Sequence, residues 1–253
     1  MENENKAANS ILQPMSTQSV VDRIVERITN AIISGELKPG DKIPTEIELS
    51  ESIGVGRNSI REAIKILVSL GVLEIRRAEG TFVCDHFNDR MLDPLVYGLI
   101  LEKDASHEII ELRRVFETGV LEKVIRCVTD EQMAWIEKAF HDIKRAVENT
   151  DVSVDQVLEA DIAFHRVLVR ITNNHLIERV SNMIERLTVP SRRRTIQRML
   201  SIDQGRPMIE LHAELVHLIR KRDVMGISEA MANHFSFWTH EVSGNLSAAD
   251  DSE

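Results

Sequence analysis

Two cysteines, one tyrosine and two tryptophans are all that this chain of 253 residues has of the side chains that staple or plug a small fold. Cys84 and Cys127 lie far apart with no C-x-x-C spacing, which excludes a disulfide framework and a thiolate zinc site and points to a reducing cytoplasm. Aromatics make up only 4% while Leu, Ile, Val, Ala, Glu and Arg are plentiful, a balance that favours helix. No apolar run approaches the ~18 residues of a membrane span, so no membrane partner is expected. The opening "MENENKAANSILQPMSTQS" lacks the basic start and long apolar core of a secretory signal. Residues 1–17 therefore read as a flexible tail, as do residues 244–253.

Positive charge is also short overall, since the formal net charge is -10. The deficit reverses locally. Between Arg57 and Arg77 five basic residues (Arg57, Arg61, Lys65, Arg76, Arg77) face only Glu62 and Glu74, a local charge of +3. A basic patch on an acidic protein suggests a polyanion met at one surface only.

Periodicity divides the chain in two. Val21, Ile24, Ile28 and Ile32 recur every three or four residues, predicting a helix from Gln18 to Ser34 that stops at Gly35. "GELKPGDKIP" then breaks regular structure. Thr45 with Glu48 forms the pattern of a capping box at the head of a short helix ending near Gly54. Ile60, Ala63, Ile64, Leu67 and Leu70 place a third helix after a tight turn, and "VLEIRR" and "TFVC" alternate as a hairpin. Three helices and a hairpin over residues 18–85 make a winged helix-turn-helix. In such a unit Arg57, Asn58, Ser59 and Arg61 lie opposite the buried face, where a recognition helix presents side chains to the major groove. Arg76, Arg77 and the Gly80 tip would make a second contact through the wing. For an isolated helix, the alternative is a solvated face with Arg61 and Lys65 paired to acids.

The residues "IISGELKPGDKIPTEIELSESIGVGRNSIREAIKILVSLGVLEIRRAEGTFV" resemble the DNA-binding domain of the GntR family of bacterial transcription regulators. The resemblance implies that Arg57, Arg61 and Gly80 touch an operator. Gly56 stands where the family often has serine, and Ala78 stands near a wing position where it has glycine.

Residues 86–104 read as a linker, and residues 105–243 as an all-α helical bundle with no strand-like alternation. Helices are expected near Ser106–Val128, Asp130–Val147, Ser153–Ile171, His175–Met199, Met208–Arg220 and Val224–Val242. Asp161 and His165, four apart, share a helical face with Leu158 and Ile162 and so point inward. His212 and His234 stand among apolar neighbours. One carboxylate and three imidazoles converging in a bundle could bind a divalent transition metal, with zinc first and nickel or manganese as alternatives. Each residue alone could equally be a hydrogen-bonded core residue.

"DIAFH", "ELHAEL" and "ANHF" are similar to the FCD effector domain of the FadR-type branch of the same family. That resemblance implies that Asp161, His165, His212 and His234 are metal ligands. It also implies that Arg113 of "IIELRRVFE" faces the pocket and holds an effector carboxylate, against the alternative of an arginine snorkelling from the helix side. Asn174 is expected to cap the next helix. "PSRRR", with Arg192 to Arg194, reads as a solvated turn or a dimer-facing patch.

The whole is expected to be mainly α and not an enzyme: a homodimeric regulator, in the mode of a repressor. Its expected partners are a short palindromic double-stranded DNA operator and a small carboxylate or sugar-acid effector. A metal-dependent hydrolase is the alternative, since Asp and His ligands also suit water activation. No zincin spacing, nucleophile elbow, Walker loop or dinucleotide fingerprint supports it.

Overall fold

A computed structural model describes residues 19–101, 105–201 and 205–237. Its internal contacts divide the chain into two compact units, Met1–Pro94 and Leu95–Glu253.

In the first unit, α1 (Val20–Ile33) begins at a capping box: the Asp22 amide donates to Ser19 Oγ at 3.0 Å, and the Ser19 amide donates back to Asp22 at 3.3 Å. The box moves the helix start slightly beyond the expected Gln18. The box expected at Thr45 forms at the head of α2 (Glu46–Ile53), with the Thr45 amide donating to Glu48 Oε2 at 2.7 Å. Such caps contribute about 1 kcal/mol each. Gly54 ends α2 at φ 74°, a left-handed conformation that a side chain would strain. After Val55 and Gly56 comes α3 (Arg57–Ser69).

Ile24 and Ile28 of α1 pack with Ile60, Ala63, Ile64 and Leu67 of α3 and with Leu73 and Val83 of the hairpin in one core. Each large side chain so buried contributes roughly 1.5–3 kcal/mol. This burial fixes the rotation of α3, turning Arg57, Asn58 and Arg61 outward. Strands β1 (Leu73–Arg76) and β2 (Gly80–Val83) pair antiparallel, Leu73 opposite Val83 and Arg76 opposite Gly80. The segment expected only to break structure also covers the free edge of β2. The Ile43 amide donates to Thr81 O at 2.9 Å, and the Val83 amide to Asp41 O at 2.8 Å.

The 86–104 stretch, expected as a linker, is partly helical, with a 3-10 turn at Asp89–Leu92 and helix α4 at Asp93–Leu101. Pro94 is compatible with this because it falls in the first turn, where its missing amide costs nothing. The apolar run that follows has no breaker stronger than Gly98.

The second unit contains α5 (Ala105–Cys127), α6 (Asp130–Val147), α7 (Val154–Ile171), α8 (His175–Ser201), α9 (Gly205–Lys221) and α10 over residues 227–237. Val124, Ile136, Ile143, Val157, Phe164, Ile219 and Phe235 lie at 0% exposure at its centre. Asn174 caps α8 by accepting from the Leu176 amide at 2.9 Å. Helix α10 starts later than the expected Val224 because Asp223 Oδ1 accepts from the Met225 and Gly226 amides, closing a turn there first. Its expected end, 238–242, lies outside the described residues.

One expectation is corrected. "PSRRR" is not a turn: α8 runs through it with Pro190 inside the helix. A buried stripe of Thr188, Arg192, Thr195, Ile196 and Met199 docks this half of α8 on the core, and that packing outweighs the one backbone bond that proline removes. No helix among the described residues is long and apolar enough to cross a membrane.

Candidate DNA interface and metal centre

The N-cap of α3 is Gly56, which has no side chain to cap it, so no side chain of the cap takes the amides of the first turn. Arg57, Asn58 and Arg61 are exposed around that end and Ser59 is half-buried. Arg61 is held by Glu46 of α2. Its Nε and Nη2 donate to the two carboxylate oxygens of Glu46 at 2.9 to 3.3 Å. Glu46 raises the Arg61 pKa, first through these hydrogen bonds and then through its charge.

In the wing, Arg76 stacks on the Phe82 ring at 4.4 Å and donates from Nε to Glu74 at 2.7 Å. Arg77 is exposed at the turn. The Glu79 amide donates to Arg76 O at 3.0 Å, closing a four-residue turn whose third residue, Ala78, sits at φ 65°. Gly80, at φ 128°, allows Lys42 to pass so near that a Cβ would meet its Cε at 2.6 Å. The structure therefore puts all seven expected residues on one helix end and one hairpin, with Arg76 committed to Glu74 and Phe82.

The second unit buries a polar centre. Asp161 and His165 from α7, His212 from α9 and His234 from α10 are all below 9% exposure. Each histidine offers a nitrogen within 4.8 Å of the others. His212 Nδ1 lies 2.8 Å from Met208 O and, facing a carbonyl, must donate to it. In a neutral ring its Nε2 is then an acceptor, yet it lies 3.1 Å from the acceptor Asp161 Oδ1. Two acceptors rest at that distance only with a cation between them, either a proton or a metal ion. His165 Nε2, 3.7 Å from the same oxygen, and His234 Nδ1 are buried with no hydrogen-bond partner among the described residues.

Burial drives the pKa values of His165 and His234 well below the ordinary imidazole range, which leaves lone pairs to offer. Burial alone would raise Asp161, but Arg192 and the bond with His212 outweigh it and hold the carboxyl well below its usual range. The donor set and its orphaned nitrogens fit a divalent transition metal.

Two further charges, buried Arg192 and half-buried Glu117, escaped the sequence. Arg192 donates from Nη1 to Asp161 Oδ2 at 3.1 Å and from Nη2 to Glu117 Oε1 at 3.0 Å. Arg113, 1% exposed, donates from Nε to the same Glu117 oxygen at 2.7 Å. Arg113 is thus neither snorkelling nor open to solvent. Its i+4 relation to Glu117 on an inward face, and the helical spacing of Arg192 with Thr188, Thr195 and Met199, were the available signals.

A winged helix-turn-helix with an exposed basic recognition helix, joined to a helical unit with a sealed polar centre, defines a DNA-binding transcription regulator rather than an enzyme. Residues 20–83 match the "Bacterial regulatory proteins, gntR family" and residues 108–237 match the FCD domain. The chain belongs to the GntR family, in its branch with an FCD domain.

It is 29% identical over 224 residues to the HTH-type transcriptional regulator YcbG of Bacillus subtilis, covering 88% of this chain and 90% of that protein. It is 28% identical over 213 residues to the galactonate operon transcriptional repressor of Escherichia coli, covering 82% and 90%. Among solved structures, a GntR protein of Streptococcus agalactiae superposes with TM-score 0.51 at 28% identity, covering 86% of this chain and 98% of that one. The hydrolase alternative finds no support among these relatives.

Proposed function

We propose that the chain is a cytoplasmic, homodimeric repressor that releases a short palindromic operator when its helical unit binds a small carboxylate or sugar acid. Residues 18–85 form the DNA-binding domain and residues 105–243 the effector domain, with tails at 1–17 and 244–253. Arg57, Asn58, Ser59 and Arg61 read bases and phosphates in the major groove, while Arg76, Arg77 and Gly80 meet the flanking backbone or minor groove. Asp161, His165, His212 and His234 hold a divalent metal, zinc first and nickel or manganese as alternatives. That ion, when bound, supplies a Lewis-acidic anchor for an effector oxygen.

The observation carrying this proposal is the Asp161 Oδ1 to His212 Nε2 approach of 3.1 Å, at a point where the imidazoles of His165 and His234 are also buried. Charge balance supports an anionic effector. Arg113 and Arg192 are matched by Glu117 and Asp161, so a divalent ion leaves a buried positive surplus that an anion relieves. The relative named as a galactonate operon repressor supports a sugar acid within that class. The effector needs only to favour one arrangement of the dimer, because two recognition helices must enter grooves about 34 Å apart.

The test is a gel shift with duplex DNA from the gene's own upstream region, adding sugar acids and small carboxylates with and without a chelator. Specific binding relieved by one acid, and restored by the chelator, is the expected result. Specific binding that no acid relieves would overturn the effector assignment.

A further inference from the structure

Glu117 sits in an unusual position for a carboxylate. Its Oε1 accepts from Arg113 on its own helix α5 and from Arg192 on α8, at 2.7 and 3.0 Å. Its Oε2 lies 3.5 Å from His165 Nδ1 and makes no hydrogen bond among the described residues. The side chain is 12% exposed, whereas that of Asp161 is 3% exposed and is held by both Arg192 and His212. Glu117, His165 and Arg192 line one cavity beside the histidine cluster, together with Leu121, Val169 and Leu215. That cavity measures about 20 Å³, room for little more than a water molecule. An organic acid therefore enters only if something already there leaves.

Of the polar groups lining it, Glu117 is the carboxylate tied at one oxygen only, and it occupies the two-arginine fork that an incoming carboxylate would seek. We propose that Glu117 is an internal competitor: it fills the Arg113–Arg192 anion site in the resting protein, and the effector's carboxylate displaces it. This rests on the carboxylate-binding function above and adds the residue that sets its threshold. Because Glu117 is tethered, its effective concentration is high, and a simple monocarboxylate competes poorly. An acid that also has an oxygen for the neighbouring metal ligands to hold through their ion competes well, which selects hydroxy and sugar acids over plain ones.

The probe is acetate, the simplest carboxylate, added to the full-length protein with zinc supplied, against sodium chloride at equal ionic strength. Its effect on the melting temperature is followed for wild type, Glu117→Ala and Glu117→Gln. The variants are expected to gain a saturable, acetate-specific rise with a midpoint about tenfold or more below that of wild type. Should the alanine variant fail to fold, Glu117→Gln, which keeps the shape and removes the charge, decides alone. A midpoint equal to or above that of wild type, or no acetate-specific rise in a folded variant, overturns the proposal and leaves Glu117 as a charge neutraliser. Operator release by acids is scored separately. Acetate filling of the variants without any acid-driven release would sink the effector function while keeping the internal competitor.

Discussion

Arg61 on the exposed side of α3 is gripped by Glu46 of α2, whose two carboxylate oxygens take Nε and Nη2 at 2.9 to 3.3 Å. The first helix of the helix-turn-helix thus aims a side chain of the second. The pair is solvent-exposed, with Arg61 at 55%, so its worth lies in orientation rather than stability. Arg57, by contrast, is exposed with no intramolecular partner among the described residues.

Arg57→Ala and Arg61→Ala should each weaken specific operator binding by roughly ten- to hundredfold while leaving the melting temperature unchanged, since neither side chain packs in the core. Fluorescence anisotropy with the upstream duplex measures this. Full operator affinity in both variants would refute the recognition-helix assignment.

Glu46→Gln removes a negative charge beside the DNA-facing surface and loosens the aim of Arg61. Binding to a scrambled duplex should strengthen while discrimination between operator and scrambled DNA narrows by several-fold. Competition titrations at fixed salt give both numbers, and an unchanged ratio would mean that Glu46 positions nothing.

Ala78 carries its side chain at φ 65°, in the third position of a turn that glycine or asparagine favours. Ala78→Gly should stabilise the first unit by about 0.5–1 kcal/mol, the relief of the left-handed penalty less the added chain entropy of glycine. Denaturant unfolding reports it. Destabilisation would show that the turn is not under strain.

Those wing and helix positions were legible in the sequence because local rules govern them: the Thr45–Glu48 box, the Gly54 stop and the apolar spacing of Ile60, Ala63, Ile64 and Leu67 all act within one or two turns. Asp161 and His165 were legible for the same reason. Arg192 was not, because a charged residue two positions after Pro190 reads as solvated until a partner across the bundle, Asp161, neutralises it. Glu117 was missed likewise, since the second of its two arginines, Arg192, comes from a helix distant in sequence. Helix α4 is not legible because "DPLVYGLIL" is apolar nearly throughout and carries no amphipathic stripe to mark a helix.

His212→Ala removes one imidazole and the Nδ1–H bond to Met208 O. Metal content by elemental analysis should fall sharply, and acid-driven release of DNA should be blunted, while binding of the operator without acid persists. Undiminished metal content would show that His212 is a core residue and not a ligand.

Acidification gives the last prediction, and its sign follows from the buried rings. His165 and His234 have pKa values pushed well below 6.5 by burial, so the folded state takes up their protons less readily than the unfolded chain. The stability they contribute is fully present above about pH 6.5, where both states are neutral, and is lost as the pH falls below it and the unfolded chain alone is protonated. A bound metal widens that loss, because a proton must displace it from the same nitrogens. The thermal midpoint of the second unit should therefore fall steadily from pH 7.5 to 5.5, with metal released over the same range. His165→Gln paired with His234→Asn should flatten the profile of the metal-free protein. A midpoint that holds level through this range in the wild type would mean that these rings are not buried as neutral imidazoles.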